Sequence, residues 1–262
     1  MKKLKLNFNI INEIYNTIQH TKKIKNNYKN KYPNTKYSFR EIIEEIMYYV
    51  KSGCSFRNLR SVMNFRTVHY HLQIFKLHNI FKRTYMKIIN KFKILDSKIL
   101  ITDTTFINNT NGINKLGRNK FNKNKKSYKI SFITDINGIP LDIIVDSGNK
   151  SDIVFINMHI NKMKNKLNDK ILLADAGYCS KNIRTSLNKY NCKPIISYNK
   201  RNAKEKIHLS DENKQIYRNR INVENAFCYL KKYKNISQIN MKFLSSYVNI
   251  LFLGMLNMIK IK

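Results

Sequence analysis

Lys98–Phe106 reads KILITDTTF. Ile99, Leu100 and Ile101 form a short apolar run ahead of Asp103, the composition of a buried strand ending at that aspartate. Upstream, apolar residues recur every three to four positions; from Lys98 the period turns strand-like, so this stretch marks the passage from helical to α/β architecture. Downstream, SYKISFITD, Asn137-Gly138 and IPLDIIVDSG read as two strands joined by a tight turn. A helix is expected from about Asp152 to Leu167, with Ile153, Ile156, Ile160, Met163 and Leu167 on one side. KILLADAGY is a second buried strand, ending in Asp175. A helix over roughly Ser180–Lys189, a strand PIISY, a long helix over about Asp211–Lys232 and a final apolar helix follow. The order β-ββ-α-β-α-β-α predicts a mixed α/β sheet with helices on both faces.

Working back toward the start, Ile42, Ile43, Ile46, Met47 and Val50 trace one helical face, and Gly53 stops that helix. Ser55 and Thr67 are expected to cap two further short helices. Three short helices with Arg57, Arg60, Arg66 and Lys76 outward resemble a helix-turn-helix arrangement, the candidate DNA reader. Residues 1–35 are Lys/Asn-rich with weak periodicity and read as a basic, loosely held arm. The expected organisation is therefore an arm at 1–35, a helical DNA-binding domain at 36–95 and an α/β domain at 96–262.

The 262 residues carry 50 Lys and Arg against 16 Asp and Glu, a net charge of +34. At 42% hydrophobic residues the chain can bury a core, which excludes wholesale disorder. The charge calls for a polyanionic partner, most simply nucleic acid. Four cysteines without a CxxC speak against a zinc ribbon or disulfide framework and for a reducing compartment. The opening MKKLKLNFNIINEIYN has no small-residue cleavage site, and the apolar Tyr247–Ile259 is too short to span a bilayer, so an intracellular protein without a membrane partner is expected. Lys115–Lys129 holds seven basic and no acidic residues. It reads either as a solvated loop or as a clamp on DNA through Lys120, Lys123, Lys125 and Lys126.

Scarce carboxylates make each placement informative. Asp103 and Asp175 each follow a buried strand; singly, either reads as a turn former, but two such positions in one sheet bring carboxylates together. In YRNRINVENAFCYLKK, a rotation of about 100° per residue puts Tyr217, Arg220, Glu224 and Lys231 within about 60° of one another. An Arg–Glu pair four apart is also ordinary on an amphipathic helix. Carboxylates from two strands and a helix, however, would hold two hard cations through oxygen ligands and support in-line displacement at phosphorus. Arg220 and Lys231 would then grip non-reacting phosphates.

At these residues the chain resembles the DDE transposases of bacterial insertion sequences, in the group that includes insertion sequences four and five. The family signature of Tyr, two residues, Arg, three residues, Glu, six residues and Lys is matched by Tyr217, Arg220, Glu224 and Lys231. ITDTTF at Asp103 and LADAGYCS at Asp175 match the contexts of its two aspartates, and KISFITDINGIPLDIIVDSGNKSD resembles the segment between them. Phe56 stands where the family usually has Trp, and Ser151 where His is common. The resemblance covers about residues 38–260. It implies a ribonuclease-H-like catalytic domain in which Asp103, Asp175 and Glu224 bind two Mg²⁺, with Mn²⁺ able to substitute. Tyr217, Arg220 and Lys231 would complete the catalytic set. The implied activity is cleavage at the terminal inverted repeats of a mobile element and strand transfer into target DNA by a homodimer or higher oligomer. A nuclease of the same fold that cuts without joining, and a DNA-binding remnant that has lost catalysis, are the alternatives. AT-rich codons for Lys, Asn and Ile leave the host open: cytoplasm and nucleoid if bacterial, nucleus or viral factory if eukaryotic or viral.

Overall fold

In the computed structural model, which describes residues 8–21, 37–59, 63–109, 111–198, 209–239 and 241–259, the chain forms two units. One comprises Met1–Lys91 with Leu230–Lys262, the other Phe92–Tyr229. The segment 230–262, expected in the α/β domain, is thus grouped with the N-terminal helices. The reason is the final helix, Leu244–Leu256, whose buried residues run almost without interruption from Tyr247 to Leu256. A helix apolar on all sides needs other elements around it. Within its unit, Phe252 packs against Tyr85 of the Ile80–Lys91 helix, ring centroids 5.8 Å apart.

The expected arm also contains ordered structure. Phe8–Gln19 is a helix that buries Ile10, Ile11, Ile14 and Ile18, and its Glu13 pairs with Lys91 at 3.0 Å and Lys87 at 3.4 Å. Residues 1–7 and 22–36 lie outside the described residues. The next helix, Phe39–Ser52, starts on a reciprocal Ser38–Glu41 capping box and stops at Gly53 in the left-handed conformation, φ 73°. Of the helix expected from Ser55, the described residues show a 3₁₀ turn, Phe56–Asn58, whose Phe56 ring stacks on Tyr49 at 4.0 Å, and residues 60–62 lie outside them. The Phe65–Leu77 helix is capped by Asn64, not Thr67: the Asn64 side chain accepts the Arg66 N–H at 2.9 Å.

The other unit is built on one sheet of β1 (Ile99–Asn108), β2 (Gly117–Arg118), β3 (Lys126–Thr134), β4 (Pro140–Ser147), β5 (Lys170–Ala174) and β6 (Cys192–Ile196). The order is β2-β3-β1-β5-β6, with β4 also paired to β3. β1, β3 and β4 run antiparallel, while β1, β5 and β6 run parallel, the mixed sheet expected. The β3–β4 turn forms at Asn137-Gly138, with Gly138 at φ 79°. Asp135 holds it by accepting the Ile139 and Asn137 N–H groups at 2.7 and 3.0 Å.

β1 does not end at Asp103. It pairs with β5 only over Ile99–Ile101, but β3 accompanies it from Ile101 to Asn108. An antiparallel partner satisfies the backbone past the aspartate, so the strand continues after its parallel neighbour has stopped.

Strand alternation sends successive residues to opposite layers. Leu100, Ile133 and Leu172 share a core with Ile156 and Ile160 of the Asp152–Met163 helix and with Ile183 and Leu187 of the Lys181–Lys189 helix. On the other face Phe132 stacks on Phe227 of the Ile221–Lys231 helix, 4.6 Å between centroids and 15° between planes. Helices therefore cover both faces. Ile153, expected inward, is exposed, and Phe155 and His159 are buried in the same helix. The long helix expected over about Asp211–Lys232 is broken into Asp211–Tyr217, a 3₁₀ turn over Arg218–Arg220, and Ile221–Lys231. The tighter winding of that turn alters the angle between Tyr217 and the residues after it. Among the described residues no helix is long and apolar enough to cross a membrane.

Candidate active site

Register decides which layer each polar side chain joins. Asp103 pairs with Phe132 and Thr104 with Ser131. Asp103 therefore faces the helix carrying Glu224, and Thr104 faces the Asp152–Met163 helix on the other side. The Glu224 helix is seated on the β3–β4 turn. Asn222 donates its amide N–H to the Ile136 carbonyl at 2.7 Å, and a Cβ at Gly138 would meet the Asn222 carbonyl oxygen at 2.7 Å. Only glycine permits that approach.

Between them stands Arg220. Its guanidinium donates to Glu224 Oε1 at 2.5 Å and to Asp103 Oδ2 at 3.4 Å. Asp175, directly after β5, caps the short turn Ala176–Tyr178 by accepting the Gly177 N–H at 2.8 Å. Burial pushes the Asp103 carboxyl up to about 6; the Asp175 and Glu224 carboxylates push the same way, while the Thr104 N–H and Arg220 oppose. For Arg220, burial disfavours the charge, but Asp103, Tyr217, Glu224 and Asp175 together outweigh it and raise its pKa. Five of the six expected catalytic residues thus lie within electrostatic reach of one another. Lys231, the sixth, is exposed at the end of its helix and belongs to the other unit.

The expected DNA contacts divide. Arg57 and Arg66 are exposed, whereas Lys76 is half-buried and donates to Ser246 Oγ at 2.9 Å. Arg60 lies outside the described residues. Lys120, Lys123, Lys125 and Lys126 are all exposed, though Lys126 opens β3 and the basic run is not all loop. Lys129 departs furthest from a clamp: it is buried, donating to Asp152 Oδ1 at 3.0 Å and to the Lys150 carbonyl at 2.8 Å.

Two polar groups escaped the reading by residue type. Tyr178 is buried to 1% exposure, and among the described residues its hydroxyl has no hydrogen-bond partner. Burial, then Asp152, Asp103 and Asp175, hold its proton on. The Thr104 hydroxyl is near enough to act on that phenol, but its hydrogen is directed at Asp152 Oδ1, 2.7 Å away. The tyrosine of LADAGYCS was the available signal. The second group is a Ser131–His159–Asp142 chain, with His159 bonded to Asp142 at 2.7 Å and to Ser131 at 3.0 Å. Ser131 is wholly buried, so this chain ties helix to sheet and has no access to substrate.

Among the described residues no three His, Cys, Asp or Glu side chains stand close enough to ligate one ion; the cation between Asp103 and Glu224 is Arg220. The donor chemistry nonetheless fits a hard cation. Every candidate ligand is a carboxylate oxygen, with no imidazole or thiolate among them, and an orphaned phenol hydroxyl lies beside the cluster.

The family model for the transposase DDE domain matches residues 94–256. The chain belongs to the transposase DDE domain family. The match takes in β1, β5 and the Glu224 helix, and extends through the final helix into the other unit. Among solved structures, the chain is similar to the piggyBac transposase in a synaptic complex with hairpin DNA. That likeness has 11% identity and a TM-score of 0.52, covering 95% of this chain and 70% of that one. A Mos1 transposase paired-end complex with the left transposon end matches at 8% identity and a TM-score of 0.28, covering 81% and 70%. No curated protein sequence matches. The α/β unit of this DDE-domain protein has the ribonuclease-H-like fold expected of it.

Proposed function

We propose that this chain is a transposase that binds the terminal inverted repeats of a mobile element and catalyses metal-dependent strand cleavage and strand transfer. One observation carries the reading: Arg220 bonds Asp103 of β1 and Glu224 of a helix, with Asp175, directly after β5, within electrostatic reach. Asp103, Asp175 and Glu224 would hold two Mg²⁺, with Mn²⁺ able to substitute. Bound there, the ions supply Lewis-acid stabilisation of the oxygens that attack and leave phosphorus.

The remaining work falls to the chain's own groups. Arg220, charged at any working pH, offers its planar fork to a non-bridging phosphate oxygen once its carboxylates are otherwise neutralised. Tyr217, beside Arg220, supplies a phenol O–H toward the same phosphate. Lys231 contributes a point charge along the strand. Arg57, Arg60, Arg66 and Lys76 of the N-terminal region read the element's ends, and Lys120, Lys123, Lys125 and Lys126 hold the flanking backbone. Double-stranded DNA is the partner, a proposal supported by the +34 charge and by the DNA in the complexes of similar fold. Bringing two ends together calls for a dimer or higher oligomer, acting inside the cell where DNA is.

The test is cleavage of a labelled duplex bearing the element's end, with Mg²⁺, with Mn²⁺ and with chelator. Metal-dependent nicking followed by joining to a plasmid is expected. Nicking without joining would indicate a nuclease, and activity that persists in chelator would overturn the mechanism.

A further inference from the structure

The turn between β2 and β3 exposes Phe121 to 83%, the largest exposure among the big apolar side chains described. Burial would ordinarily claim such a ring, so its position on a protruding turn calls for a reason. The turn is not slack. Asn119 accepts the Phe121 N–H at 2.9 Å and donates to the Gly148 carbonyl at 3.2 Å. Arg118 donates to the Asn124 carbonyl at 3.1 Å, and Asn122 to Asn108 on β1 at 2.9 Å. Lys123 and Asn124 are held at φ 51° and 52°, a conformation that such residues keep only where their surroundings impose it. A braced turn therefore presents an aromatic ring to solvent.

Its surroundings are of one sign. Lys120, Lys123, Lys125 and Lys126 are exposed within five residues of Phe121 along the chain, and Lys120 Nζ lies 5.3 Å from the ring centroid. No acidic residue occurs between Ile107 and Tyr128. A second protein surface would have to be strongly acidic to meet this tip, whereas duplex DNA offers phosphates to the lysines and base faces to the ring. The tip is also tied through Asn108 to β1, whose Asp103 is in the candidate site.

We propose that the Asn119–Lys125 turn is a DNA-contacting wedge in which Phe121 packs against the bases of a duplex whose backbone the surrounding lysines hold. The inference rests on the DNA-binding reading above and adds to it an apolar, charge-free contact. That difference is measurable, because lysine contacts release counterions and an aromatic contact does not.

The experiment uses the full chain, an element-end duplex carrying 2-aminopurine at successive positions, and a series of salt concentrations. Phe121→Ala should weaken binding about 5- to 100-fold without changing the salt slope. It should also abolish a 2-aminopurine fluorescence gain that wild type produces and Phe121→Trp retains. Lys123→Ala, in contrast, should flatten the slope by about 0.9. If wild type binds DNA and Phe121→Ala binds equally well with the same fluorescence, the wedge is wrong and the DNA reading stands. If wild type binds no DNA, both fall. If Phe121→Ala instead turns an oligomer into a monomer and leaves DNA affinity alone, the tip is a contact between copies and the proposal is overturned.

Discussion

Asp142 and Asp103 lie on opposite faces of one sheet, and their fates differ. Burial pushes the Asp142 carboxyl up, but hydrogen bonds from His159 and Lys162 and the charge of Lys162 outweigh it and hold the group below its ordinary range. His159, lowered by its own burial, serves as a neutral hydrogen-bonding partner more than as an ion. Asp103 has Arg220 and one backbone N–H in its favour, which burial and two more carboxylates outweigh, and it stays up at about 6. One carboxylate is compensated by its fold and the other is not. The difference marks Asp103 as the candidate functional acid better than burial does, since both are largely buried.

The strongest way to break this distinction is catalytic. Asp103→Asn, Asp175→Asn and Glu224→Gln should each lower end cleavage by at least about 10²–10³-fold. Asp142→Ala should leave the rate per folded molecule near wild type. Equal losses in gel-resolved cleavage would erase the contrast. The converse applies to stability. Asp142→Ala leaves the buried His159 without its carboxylate partner and should cost about 1–3 kcal/mol in urea unfolding.

A pH series sharpens the comparison further. A carboxyl raised to about 6 in the fold contributes stability that is complete below the ordinary Asp range and lost as pH climbs through about 6. Without metal above pH 7, Asp103→Asn should therefore be more stable than wild type, by up to about 3 kcal/mol. Mg²⁺ should close that gap by binding the ionised form, with affinity rising through the same range. A wild type as stable as Asp103→Asn across this series would show that Asp103 is compensated after all. The smallest effect belongs to Tyr178. Removing its orphaned hydroxyl in Tyr178→Phe should raise metal-free stability by about 1 kcal/mol. A lower melting temperature would reveal a partner for that hydroxyl.

Much of this site was legible before any coordinates. Apolar runs with an aspartate behind them pointed to Asp103 and Asp175, because two such positions in one sheet bring carboxylates together, though either alone reads as a turn former. Asn137-Gly138 placed the turn that seats Asn222. What escaped depended on pairing. Nothing local to KILITDTTF says that β3 would carry β1 on to Asn108 after β5 had stopped. The Arg218–Arg220 turn broke a pattern that a uniform helical wheel had made regular, and the wheel had no means of detecting it. Lys129 counted as one more cation in a basic run, though strand alternation turns it inward to Asp152. Leu244–Leu256 was plainly a buried helix, but periodicity is silent on which core receives it.

The alternation along β1 sets a rule for altering this protein. Asp103 and Thr104 are chain neighbours serving different layers, one turned to Glu224 and the other to Asp152. Inserting or deleting one residue between Ile101 and Asp103 would send the threonine to the acidic cluster and the aspartate into the packed layer. Length changes in homologous domains, and any peptide tag engineered into this one, are thus tolerable in solvent-facing turns. Within β1 even one extra residue is a frameshift in three dimensions.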